Sequence, residues 1–99
     1  MDIEQIQAKV KADEYVYTSH ADVERKADDL TLRQVEMALL NGQILEHYAD
    51  TGRGESCLIL GYADQVPIHV VCGWRGDEVA IITVYIPGPP KFIDPTTRA

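Results

Sequence analysis

Histidine, tyrosine and arginine on neighbouring strand-like runs are the side chains of this chain that most invite a chemical reading. His69 lies in the apolar run 66–74, Tyr85 lies in the run 79–86, and Arg75 sits just beyond the first of these. Successive side chains on a strand point to opposite faces. His69 and Val71 therefore share a face, with Arg75 at its rim, and Val79, Ile81, Thr83 and Tyr85 share a face of the second run. The opposite faces are apolar: Val66, Ile68, Val70, Cys72 and Trp74 on one, Ala80, Ile82, Val84 and Ile86 on the other. Helices should cover those, leaving the His69–Thr83–Tyr85 face open. Metal-free cleavage of a phosphodiester needs a base, an acid for the leaving oxygen and a cation for the charge that develops at phosphorus. Histidine, tyrosine and arginine fill those roles without a cofactor. The plain structural alternative is a half-exposed strand histidine beside a tyrosine.

The remaining candidates are weaker as chemistry. His20 and Arg25 fall on one predicted helix, about 140° apart around its axis at 3.6 residues per turn. Both can reach one cleft only if one of them sits at a helix end, and Glu24 stacks one turn after His20. His47 has no partner at ligand spacing. Cys57 and Cys72 lack CxxC spacing and read as reduced core thiols, since a zinc site or disulfide scaffold needs more ligands. The loop Thr51-Gly52-Arg53-Gly54 lacks the Lys-Ser/Thr and helix start of a phosphate loop. No metal site is expected.

Helices must position these residues. Asp2 can cap a first helix with Gln5 as its capping-box partner, and Ile3, Ile6 and Val10 form one apolar stripe. Residues 15–18 are β-prone and read as an extended segment or short strand. Ser19 can cap a second helix with a thin apolar face, Val23 and Ala27. Thr31 caps a third, Gln34 completes its capping box, Leu32, Val35 and Leu39 line one face, and Asn41-Gly42 supplies a left-handed stop. Four strand-like runs follow at 43–49, 56–62, 66–74 and 79–86, separated by connections short enough only for antiparallel hairpins. Pro87-Gly88-Pro89-Pro90 ends the sheet. The expectation is one α+β domain over residues 1–90, N-terminal helices packed on a C-terminal four-stranded antiparallel sheet, with 91–99 a loose tail.

Size and charge bound the function. The chain has 99 residues, 45% of them apolar, and a formal net charge of −7. That is enough for a single core and argues against a generic nucleic-acid binder, which needs clustered Lys and Arg. Residues 1–50 carry 11 acids against 5 bases, and residues 51–99 carry 5 against 4. The acid thus lies on the helical half, and the sheet half can still accept an anion. Met1-Asp2-Ile3-Glu4 is no signal peptide and no run reaches a membrane span, so a cytoplasmic bacterial-type protein is expected.

Four stretches together resemble a bacterial family of unknown function, number four-two-five-eight in its series. They are Tyr17-Thr18-Ser19-His20-Ala21 with Arg25, Val35–Gly42 (Val-Glu-Met-Ala-Leu-Leu-Asn-Gly), Pro67-Ile68-His69-Val70-Val71, and Ile81-Ile82-Thr83-Val84-Tyr85-Ile86-Pro87. The resemblance implies a RelE-like fold similar to small toxins of the MqsR and BrnT kinds, which are metal-free ribonucleases. It also implies a YgiT-type zinc-finger antitoxin as partner and RNA as substrate. His69, Arg75, Tyr85, His20 and Arg25 are then the catalytic candidates, with Thr83 and Arg53 as RNA contacts and no cofactor. Such toxins are basic, whereas this chain is acidic. The alternative is a non-catalytic module that docks a basic protein through its acidic helical half.

Overall fold

The computed structural model describes residues 1–99. In order it contains α1 (Ile3–Lys11), β1 (Tyr15–Tyr17), α2 (Ser19–Ala27), α3 (Leu32–Asn41), β2 (Gln43–Tyr48), β3 (Ser56–Ala63), β4 (Val66–Arg75), β5 (Glu78–Tyr85), β6 (Phe92–Asp94) and β7 (Thr97–Arg98). Strands β2 to β5 form the expected antiparallel meander, yet the sheet is not four-stranded and antiparallel. It has five strands in the order β1-β5-β4-β3-β2, with β1 parallel to β5. The four-stranded, RelE-like layout is corrected accordingly. The β1–β5 pairing joins the first strand to the last of the sheet through everything between them, so no short connection announces it. Its register, Tyr15↔Val79 to Tyr17↔Ile81, is extended at both ends by Val79 N–H to the Glu14 carbonyl (3.2 Å) and Thr18 N–H to the Ile81 carbonyl (3.0 Å).

The helices form where the caps allow. Asp2 caps α1 through the Glu4 N–H, and Thr31 with Gln34 makes the expected capping box on α3. The cap of α2 is Thr18 rather than Ser19; its hydroxyl oxygen accepts from Ala21 N–H and its hydroxyl donates to the Ile82 carbonyl (3.2 Å), which ties α2 to the sheet. Gly42 does not supply a left-handed stop: its φ is −83°. The exposed-end carbonyls of α3 are satisfied from α1 instead, where the Gln7 side-chain amide donates to Leu39 and Leu40 (3.1 Å each) and to Gly42 (3.3 Å). Glycine is needed at 42 for close approach, because a Cβ there would lie 2.6 Å from both the Ala38 carbonyl oxygen and Ile59 Cγ2.

One core lies between helices and sheet. Ile6 and Val10 of α1, Ala21 of α2, and Val35, Ala38 and Leu39 of α3 pack on Cys57, Ile59, Ile68, Val70, Cys72, Val79, Ile81 and Val84. Leu32 and Val23, expected in this core, are instead exposed at 53% and 67%. The faces of β4 are as read from alternation, but those of β5 are not. Val71 faces Thr83 while Cys72 faces Ile81, so Ile82 is an extra residue in β5. Such a bulge reverses the alternation on one side of it. Val79 and Ile81 consequently turn into the core with Val84, and Thr83 and Tyr85 keep to the far face. Leu39, buried completely in the last turn of α3, should cost roughly 2–5 kcal/mol when replaced by alanine. Denaturant unfolding measures this; a loss under about 0.5 kcal/mol would place it at the surface.

Beyond β1, the edge of β5 is capped by side chains of α2. The Val84 N–H donates to Glu24 (3.1 Å) and the Ile86 N–H to Asp28 (2.9 Å).

Candidate functional site

The face opposite the helices is covered at one end. Residues 91–99, expected as a loose tail, carry β6 and β7, a hairpin that folds back over the sheet. Its anchor is Phe92, 1% exposed. The Phe92 ring meets the His69 ring edge-on with centroids 4.5 Å apart, and Tyr85 flanks His69 at 5.2 Å. His69 is completely buried, and both ring nitrogens are engaged. Nε2 lies 2.7 Å from the Pro95 carbonyl oxygen and Nδ1 lies 3.1 Å from the Tyr85 hydroxyl. A carbonyl only accepts, so Nε2 carries the proton, and in the neutral ring Nδ1 then accepts from the phenol.

The hairpin also delivers a cation. Arg98 makes a bidentate ion pair with Glu46 of β2, both N···O distances 2.7 Å, and reaches the Tyr48 hydroxyl at 3.4 Å. The Tyr48 hydroxyl donates to Glu46 in turn. Glu46 reaches this face through a second bulge: Ile44 faces Ile59 while Glu46 faces Leu58, leaving Leu45 unpaired. Hydrogen bonds from Arg98 and Tyr48 hold the Glu46 carboxyl down at about 2, and burial beside that carboxylate raises the Tyr48 phenol to about 12. Burial likewise raises Tyr85, which stays a proton donor. The charges of Glu46 and Arg98 both act on His69 and Tyr85, so the five residues form one electrostatic unit.

Only part of the expected site is assembled. His69 and Tyr85 are directly opposed on β4 and β5. Thr83 is half-buried on the same face, opposite Val71. Arg75 is not with them: it ends β4 opposite Glu78, roughly 20 Å from His69 at about 3.3 Å per residue. His20 and Arg25 are elsewhere. His20 is an exposed residue paired with Glu24 at 3.2 Å. Arg25 donates to Asp22 (2.7 Å) and to the Leu30 carbonyl (2.7 Å), closing the turn from α2 to α3. Arg53 is exposed in the β2–β3 loop. Cys57 and Cys72 face each other across β3 and β4 as buried free thiols, and burial pushes Cys57 up to about 11 and Cys72 higher still. Arg98, Glu46 and Tyr48 were missed. The available signal was a second β-prone pair, Phe92-Ile93 and Thr96-Thr97, around the turn-forming Asp94-Pro95.

Burial lowers the pKa of His69 from its ordinary 6.5, against the pull of the Pro95 carbonyl. A group whose unfolded form binds the proton more readily stabilises the fold above its unfolded pKa and loses that contribution as pH falls through the window below it. Glu46 acts in the same direction, from its ordinary 4.5 down toward about 2. Stability should therefore fall as pH drops below about 6.5 and fall further below about 4.5. Urea unfolding at stepped pH tests this, with imidazole NMR assigning the first step. A His69 midpoint at or above 6.5 would put the ring in water rather than under the hairpin.

Fold and site define a single α+β domain whose mixed sheet carries helices on one face and a His–Tyr–Arg–Glu–Tyr cluster under a C-terminal hairpin on the other. No group of three His, Cys, Asp or Glu side chains is placed to hold a metal ion, and no helix is long and apolar enough to cross a membrane. Residues 17–86 match the family model described as Domain of unknown function (DUF4258), and the chain belongs to that family. The match takes in His69, Tyr85, Glu46 and Tyr48 and leaves out α1 and the hairpin with Arg98. Comparisons with curated proteins and with solved structures returned no match.

Proposed function

We propose that this domain is a metal-free endoribonuclease of the toxin type, or a descendant of one, acting through the His69–Tyr85–Arg98–Glu46–Tyr48 cluster. One observation carries the reading: a buried neutral histidine hydrogen-bonded to a tyrosine lies on the same sheet face as an arginine held by a carboxylate and a second tyrosine. Substrate meets the half-buried Tyr85 and Tyr48 and the exposed Arg98, while His69 acts from behind. The 2′-hydroxyl proton passes to Tyr85 Oη as the Tyr85 proton passes to His69 Nδ1, and the freed 2′-oxygen attacks phosphorus. The Arg98 guanidinium presents a planar fork of donors to the phosphoryl oxygens. Tyr48 protonates the departing 5′-oxygen, and a 2′,3′-cyclic phosphate is left. A zinc-finger antitoxin of the YgiT type is the partner this reading proposes.

The complete burial of His69 favours a second reading, a non-catalytic module that docks a basic protein through its acidic helices. One experiment separates them. Purified full-length chain, incubated with mixed RNA and a metal chelator, should leave cyclic phosphate ends, and its expression alone should arrest bacterial growth. Intact RNA and unimpaired growth with folded protein would leave the binding module.

A further inference from the structure

Where β5 runs on past the end of β1, a small cleft opens between α2, the last residues of β5 and the segment that leads into the hairpin. Its volume is about 220 Å³, and Glu24, Tyr85, Ile86, Pro89, Pro90 and Lys91 are among its lining residues. We infer that this cleft holds the base of the nucleotide whose 2′-hydroxyl reacts, that the base is cytosine, and that Glu24 accepts its exocyclic amino group. The sugar and its place beside Tyr85 come from the ribonuclease reading, on which this subsite rests.

Position is the first support. Tyr85 lines the cleft and also meets His69 Nδ1 at 3.1 Å, so a base seated here carries its own ribose to the reacting groups. Burial raises the Tyr85 phenol, and the charge of Glu24, close by, adds to that rise. The second support is a free acceptor. Glu24 Oε1 is taken up by the Val84 N–H at 3.1 Å and by His20 Nε2 at 3.2 Å, whereas Oε2 has no protein partner. Glu24 is 27% exposed, which leaves that oxygen open to a ligand while shielding it in part from water. A carboxylate pairs with the cytosine amino group. Uracil instead offers one ring N–H between two carbonyls, which a carboxylate repels. Size is the third support. The cleft is smaller than the roughly 300–1,000 Å³ of most ligand sites, which favours a pyrimidine over a purine. Proline has no N–H, so Pro89 and Pro90 add no competing backbone donors. Lys91 makes no ion pair within 4.0 Å and offsets the carboxylate for a polyanionic chain.

Calorimetric titration of the full-length chain with cytidine, uridine and guanosine 3′-monophosphates at low salt tests the subsite without any need for turnover. Cytidine should bind about tenfold or more tighter than uridine, as expected for one hydrogen bond to a charged group, with guanosine weaker than cytidine. Glu24→Gln keeps an acceptor for the Val84 N–H and puts an amide donor where Oε2 was, a donor that suits the uracil carbonyl. The preference should vanish or invert, with circular dichroism confirming the fold. Equal affinities for cytidine and uridine, tighter binding of guanosine, or a preference unchanged in folded Glu24→Gln overturns the inference; the first two outcomes need no variant. RNA cleavage without cytidine enriched at the new 3′ ends leaves the ribonuclease reading standing and removes the subsite. Cytidine-selective, Glu24-dependent binding without cleavage leaves the cytosine site standing and removes the ribonuclease.

Discussion

Gly61→Ala should prevent the native fold or lower its stability by on the order of 3 kcal/mol or more, the upper end of what overpacking costs. Gly61 lies in β3 directly beneath α3. A Cβ at that position would overlap the Ala38 carbonyl and stand 2.7 Å from the Ala38 Cα. The obstacle is helical backbone, which no rotamer change can move aside. Ala38 is itself completely buried, and its neighbours Val35 and Leu39 pack on the same sheet. Relief therefore means lifting α3, which would open the core on both sides of it. The backbone at Gly61 is ordinary strand, so the effect is one of packing and not of conformational freedom. Urea unfolding with far-ultraviolet circular dichroism decides it. A loss below about 1 kcal/mol would show that α3 can ride up on the sheet without consequence.

The second large effect is on rate. If the domain cleaves RNA as proposed above, Arg98→Ala and Tyr85→Phe should each reduce that cleavage by ~10²–10⁴, with little change in the folded fraction. Arg98 is 52% exposed and Tyr85 half-buried, so neither removal empties the core. Arg98→Lys keeps the charge but loses the two-pronged geometry that now grips Glu46, and should recover only part of the rate. Arg75→Ala is the matched comparison. It removes an exposed arginine from the far end of β4, and the rate should stay at the parent value. Equal losses from Arg75 and Arg98 would mean that the cation acts through overall charge, and the assignment of Arg98 to the reacting phosphate would fall.

The readable parts of this molecule are those fixed by neighbours in sequence. Thr31 and Gln34 announce α3 because a capping box closes within one turn. The three hairpins from β2 to β5 follow from turn-rich connections too short for anything else. His69 and Tyr85 come together because a hairpin register pairs them. What escaped was fixed by distant contacts. Nothing near Tyr15–Tyr17 reveals that its partner is β5. The Ile82 bulge, which exchanges the faces of half of β5, has no local mark, since Ala80-Ile81-Ile82 fits either alternation. Leu32 looks like core by spacing, but the bodies that could bury it lie on the other side of α3. Arg98 escaped with its hairpin, because a short strand pair gains stability only from the surface it lands on.

The carboxylates of Glu24 and Asp28, which accept the Val84 and Ile86 N–H groups, make the sheet polar as a template for growth. An unprotected strand edge invites a further strand, from another molecule or from a misfolded copy. On the β5 side that invitation is withdrawn twice, by the three-residue β1 and then by negative charges seated on the donors an incoming strand would need. The other edge, β2, is interrupted after Ile44 by the Leu45 bulge, and the Arg98 fork lies across Glu46. Both edges therefore offer an incoming strand only a few consecutive groups, and edge-to-edge growth of this sheet is disfavoured at either end.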